Sequence, residues 1–125
     1  MKCYKVVSVR GDMVSCTASE KEAIRYTIGT TAYPRVGYLF VFDTYESALD
    51  FAIHESNPCV KFAILEGVAE LADDVKIRII AYFSENYDEF WRNPRKRKNF
   101  ATHPVPKGTL FAKSFTPTSI MRTGI

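Results

Sequence analysis

With 125 residues, 46% of them hydrophobic, 25% charged and 14% aromatic, the chain has the size and composition of one soluble globular domain. That excludes a disordered chain, a collagen-like repeat, a coiled coil and a disulfide-dense scaffold. The formal charge of +3 conceals a split: residues 1–89 hold nine Lys+Arg against fourteen Asp+Glu, a formal −5, whereas residues 90–125 hold eight and no acid, a formal +8.

The N-terminal MKCYKVVSVR has no apolar run long enough for a signal peptide, and no stretch approaches the roughly 20 apolar residues of a membrane span. Cytoplasm is therefore the expected compartment, with no membrane partner. Cys3, Cys16 and Cys59 are odd in number and form no Cys-x-x-Cys pair, which points to reduced thiols and not to a zinc knuckle. Each lies in an apolar, strand-like context and is expected to pack as a small core residue.

In chain order, residues 2–9 (KCYKVVSV) are β-branched and aromatic and predict a strand. Arg10-Gly11-Asp12 makes the turn and Met13–Ala18 the return strand of a hairpin. Residues 19–36 allow a helical turn at Ser19-x-x-Glu22 and a short strand over Ile24–Ile28, then a loop. Gly37–Phe42 (GYLFVF) predicts a buried strand. Asp43 follows as N-cap, with Glu46 completing a capping box. The helix then spans about 44–56, with Tyr45, Ala48, Leu49, Ala52 and Ile53 as its apolar stripe and Asn57-Pro58 as its stop. Val60–Val68 predicts a strand and Leu71–Asp74 a turn. Val75–Phe83 alternates as a further strand. Ser84–Asn93 predicts a second, short helix, about 85–93, capped by Ser84 and packed through Tyr87, Phe90 and Trp91. After a basic run and a Pro-rich connector, Thr109–Phe115 is a late strand and Ile120–Arg122 a short edge. The predicted fold is α+β, a single domain over residues 1–125, with a mainly antiparallel sheet, one well-defined helix and one short one.

Leu39–Ala52 (LFVFDTYESALDFA), with YKVV at Tyr4–Val7 and TLFAKS at Thr109–Ser114, resembles small uncharacterised proteins encoded by prokaryotic viruses and mobile elements. In these an N-terminal hairpin precedes a strand and a Phe-Asp-Ser/Thr-x-Glu-x-Ala helix, and a late strand follows a Pro/Gly turn. The resemblance implies a setting, a microbial host cytoplasm, and carries no activity or ligand set.

Chemistry-bearing patterns are sparse. His54 and His103 are far apart in the chain, and their spacing predicts no metal site. No Gly-x-Ser-x-Gly elbow occurs, and Cys59, five residues after His54, reads as a core residue. The glycines are scattered, so no phosphate-cradling loop is predicted. Asp73-Asp74 and Asp88-Glu89 read as a solvated turn and a helix start. No cofactor is expected, and catalysis lacks a recognisable constellation. The one concentrated feature is basic: Arg92, Arg95, Lys96, Arg97 and Lys98 beside Phe90, Trp91 and Phe100. The candidate binding patch is thus Trp91, Arg92, Arg95, Lys96, Arg97, Lys98 and Phe100. It suits a host protein with an acidic surface or, alternatively, nucleic acid, with cations on phosphates and rings on bases. The plain alternative is a solvated loop neutralised by the protein's own acids, for which Asp88 and Arg92 supply one i,i+4 pair. A third reading is a nucleotide-binding protein or enzyme, with Tyr33, Tyr38, Tyr82 or Trp91 stacking on a base. The Val75–Phe83 strand or the last strand could pair with a second copy.

Overall fold

The computed structural model describes residues 1–10, 12–15, 24–35, 37–72, 79–81 and 102–125, with backbone only for 10, 12, 79–81 and 102–104. The described elements are β1 (Lys2–Arg10), β2 (Asp12–Ser15), β3 (Arg25–Tyr26), β4 (Leu39–Phe42), α1 (Tyr45–Glu55), β5 (Lys61–Leu71), β6 (Ile79–Ala81), β7 (Thr102–Pro104) and β8 (Thr109–Arg122). The predicted α+β class, mainly antiparallel with a helix near 44–56, is what the chain adopts. The predicted short helix of about 85–93 and the helical turn at Ser19–Glu22 lie outside the described residues. None of the described helices is long and apolar enough to cross a membrane.

The main sheet closes on itself. β1 pairs with both β5 and β4, and β8 joins β4 to β5, so β1, β5, β8 and β4 form a ring of antiparallel neighbours. Closure pairs strand edges that an open sheet would leave exposed. Between β1 and β8 the wall has two halves. At one end it is β4, through Tyr4↔Phe42 on β1 and Leu39↔Ala112 to Phe42↔Thr109 on β8. At the other end β2 takes the edge of β1 and β3 the edge of β2. There, Ala32 exchanges two backbone hydrogen bonds with Phe115, and the Gly29 N–H donates to Pro117 O. β8 is far longer than the predicted Thr109–Phe115, and the predicted edge at Ile120–Arg122 is its continuation along β5.

Alternation along the strands sorts side chains into an inside and an outside. Cys3, Val7, Leu39, Val41, Ala63, Leu65, Ala69, Ala112 and Phe115 fill the interior with Tyr26 and Ala32. Gly67 sits among them because a Cβ there would meet the Thr116 carbonyl and lie 2.6 Å from Phe115 Cζ. On the outside, Val6, Phe42, Phe62 and Ile64 form a second cluster with Ala48 and Ala52 of α1. The two alanines let the helix approach the sheet closely, and Tyr45, Leu49 and Phe51 flank the contact. Ile53, expected in the stripe, is 55% exposed. The contact face turns instead toward Phe51, whose ring lies 5.4 Å from that of Phe42.

The cap also differs from expectation. Thr44, not Asp43, is the N-cap: it is extended (φ −130, ψ 156) and its side chain accepts from the Ser47 N–H at 3.1 Å. The Asp43 amide donates to Gly108 O across the chain, which holds Asp43 one position outside the helix. Gly108 itself has φ +82, and a Cβ there would crowd the Asp43 and Ser47 side chains.

One interior position is occupied by a cation. Lys5 lies between Cys3 and Val7 on the inner face of β1 and is 7% exposed. Its Nζ donates to Phe40 O at 2.6 Å and lies 5.7 Å from the centre of the Tyr26 ring. The ladder between β1 and β4 consists of the single pair Tyr4↔Phe42 before β2 takes over that edge. The ammonium thus bridges the fork where the two halves of the wall diverge, and the ring face adds cation–π attraction. Lys5→Met keeps the stem and removes the donor, so the unfolding free energy should fall by about 1–3 kcal/mol. Urea titration measures it, and an unchanged midpoint would show the bridge to be dispensable.

Candidate binding surface

Trp91, Arg92, Arg95, Lys96, Arg97, Lys98 and Phe100 all lie outside the described residues. What is described is the pair of strands on either side of them in the chain. β6 and β7 pair antiparallel, Ile79↔Pro104, Ile80↔His103 and Ala81↔Thr102, as a separate two-stranded sheet. The basic run therefore belongs to a segment whose two ends are brought together. β7 leads into a turn in which Pro106 O accepts from the Thr109 N–H at 3.2 Å and from its hydroxyl at 2.6 Å. The Gly108 contact described above fixes that turn against the start of α1.

The remaining cations of the basic portion are described. Lys107, Lys113 and Arg122 are all exposed, and none is ion-paired within the described residues. The described ion pair is Lys2–Glu66 at 3.0 Å, inside the acidic portion. The hydrogen bond and the charge of Glu66 raise Lys2 above its ordinary value. The acids of α1, Glu46, Asp50 and Glu55, are exposed. The helix packs chiefly on β1, β5 and β4, whereas β8 lies across the ring from β1. Lys107 precedes Gly108 in the turn against the start of α1, and β5 sets Glu66 opposite Ser119 and Glu70 opposite Ser114 of β8.

Among the described residues no three His, Cys, Asp or Glu side chains come together. His54 is exposed in the last turn of α1. Of the rings considered for base stacking, Tyr33 is 66% exposed, and Tyr38 packs edge-on to Phe111 at 6.5 Å. Tyr82 and Trp91 lie outside the described residues. Sequence reasoning did not single out Lys5 or Tyr26. Tyr26 is 3% exposed, and its hydroxyl is the buried polar side-chain atom without a partner among the described residues.

The two described cysteines divide, and Cys16 lies outside the described residues. Cys3 is buried, as expected, but Cys59 is exposed, which corrects its assignment to the core. The cause is local: Asn57 Oδ1 accepts from the Cys59 N–H at 2.9 Å and the Val60 N–H at 3.0 Å. This Asx-type turn holds Cys59 at its tip, and β5 begins only at Lys61. Burial pushes the Cys3 thiol above its ordinary value of 9.0, the N-terminal ammonium opposes this, and Asp43 adds to it. Iodoacetamide should therefore alkylate Cys59 in the native protein and Cys3 only on unfolding, as peptide mass mapping would read. Because the folded state holds the Cys3 proton more tightly, its contribution is complete below the unfolded pKa. It is lost as pH rises through the folded value, so stability declines above about pH 9. Lys2 acts in the same direction at higher pH. Cys3→Ala should flatten the first part of that decline, and an unchanged slope would contradict the assignment.

Comparison of the chain with protein-family models, with curated proteins and with solved structures finds no match.

Proposed function

We propose that this chain is a non-enzymatic interaction protein that grips the acidic surface of a partner protein through a basic surface including Arg92–Lys98. The observation that carries the reading is the charge asymmetry: residues 90–125 hold eight cations and no acid, with five of the cations in Arg92–Lys98. Internal neutralisation would answer that charge at no gain in function. Against it, Lys107, Lys113 and Arg122 are exposed and form no ion pair within the described residues. The resemblance of Leu39–Ala52 to small proteins of prokaryotic viruses and mobile elements makes the partner a host protein in a microbial cytoplasm. Capture from nuclease-treated microbial lysate tests this. Acidic proteins should be retained by the wild type and lost when Arg92, Arg95, Lys96, Arg97 and Lys98 are changed to Gln; equal retention by both would overturn it.

A second reading, nucleic-acid binding, is favoured by one feature, the rings of Phe90, Trp91 and Phe100 beside those cations. It predicts that oligonucleotides bind and that affinity falls steeply with salt.

A further inference from the structure

Two buried polar side chains meet inside the barrel with hydrogen-bonding capacity to spare. Lys5 is buried and carries an ammonium, which only donates. Among the described residues its Nζ has one acceptor, Phe40 O, and no carboxylate in ion-pair contact. Tyr26 is also buried, and its hydroxyl has no partner among the described residues. The two are adjacent, since Nζ lies 5.7 Å from the centre of the ring that bears that hydroxyl. A buried charge without a counter-charge and a buried hydroxyl without a partner both cost stability, and here they do so in one place.

We infer that Lys5 and Tyr26 form an internal site for a small monoanion, held by the ammonium and by the Tyr26 O–H. The sign of the ligand follows from the donors: both groups can donate, and one is a cation. Its size follows from the surroundings. Cys3, Val7, Val41, Leu65 and Phe115 are fully buried in the same interior, which restricts the ligand to a few atoms, as in formate or chloride. Its entry follows from the fork. β4 meets β1 only at Tyr4↔Phe42, and no pairing among the described residues joins β4 to β2 or β3. Strand pairing therefore does not close the wall beside Phe40 O, where the ammonium sits. The site is independent of the basic run and of the acidic-partner reading.

The test titrates formate at constant ionic strength, followed by NMR of its carbon-bound proton. The proteins are the wild type and the variant with Arg92, Arg95, Lys96, Arg97 and Lys98 changed to Gln. Both should bind formate saturably and equally, with a nuclear Overhauser effect from the formate proton to the Tyr26 ring. Lys5→Met should abolish that binding. Tyr26→Phe, which keeps the ring, should weaken it roughly tenfold or more. Urea unfolding supplies an independent readout. Without formate, Tyr26→Phe should be at least as stable as the wild type, because it removes a hydroxyl that has no partner. Saturating formate should place the wild type ahead. Absence of saturable binding to the wild type, or binding unchanged by Tyr26→Phe, overturns the inference. Binding lost in the Gln variant assigns the ion to the basic run and overturns it as well.

Discussion

Phe115→Ala is expected to lower the unfolding free energy by about 3–5 kcal/mol, a large share of the ~5–15 kcal/mol available to a domain of this kind. Phe115 heads the fully buried side chains by volume. Its ring meets Tyr26 edge-on at 6.3 Å and occupies the space that Gly67 leaves open. Its backbone bonds reciprocally to Ala32, where the wall between β1 and β8 is completed by the 29–32 segment. Removing the ring empties the barrel where β5, β8 and β3 converge, and a closed barrel collapses poorly around a void. Gly67→Ala tests the same packing from the other side. Alone it should cost about 1–3 kcal/mol through overpacking. In the Phe115→Ala background the ring contact is gone and only the Thr116 carbonyl remains in the way, so the penalty should shrink. Urea unfolding of the two single variants and the double variant measures this, and strict additivity would contradict the contact.

The second large effect concerns binding. Exchanging Arg92, Arg95, Lys96, Arg97 and Lys98 for Gln removes five cations from a portion with no acid. At about 0.2–1 kcal/mol for each solvated charge pair, the complex with an acidic partner should weaken by roughly fivefold to a few thousandfold. Thermal unfolding followed by circular dichroism confirms that the variant is folded. Nucleic acid would give a different signature. Five phosphate contacts on single strands imply a log–log salt slope of about −3.5, together with loss of affinity on removing Trp91 alone. An acidic protein surface lacks the regular phosphate array and should show less dependence on that ring.

The sequence makes local features legible where the reason is local. The β-branched run in KCYKVVSV, the 45-48-49-52 stripe of α1 and the stop at Asn57-Pro58 all reappear in the fold. What it leaves hidden depends on partners distant in the chain. Closure of β1 on both β4 and β5 is a property of register, and the bulges of β8 that extend it to Arg122 follow from its pairing with β5. Asp43 is displaced from the cap because its amide bonds to Gly108, far along the chain. Cys59 is exposed because Asn57 captures the two amides that follow it, a turn that apolar context alone conceals. Lys5 is the instructive case. The alternation Cys3, Lys5, Val7 sets it on the inner face, but only the single-pair ladder between β1 and β4 explains why a cation is wanted there. For the candidate surface, the charge split and the basic run were readable directly.

In the proposed function an acidic partner answers the +8 portion, in place of the protein's own carboxylates or nucleic acid. The most direct measurement is a side-by-side anisotropy titration of a labelled polyglutamate peptide and a labelled oligothymidylate, using the wild type and the five-Gln variant at low salt. Polyglutamate should bind the wild type more tightly than the oligonucleotide does, and this binding should be lost in the variant. Oligothymidylate bound in preference to polyglutamate, or polyglutamate bound equally by both proteins, would contradict it.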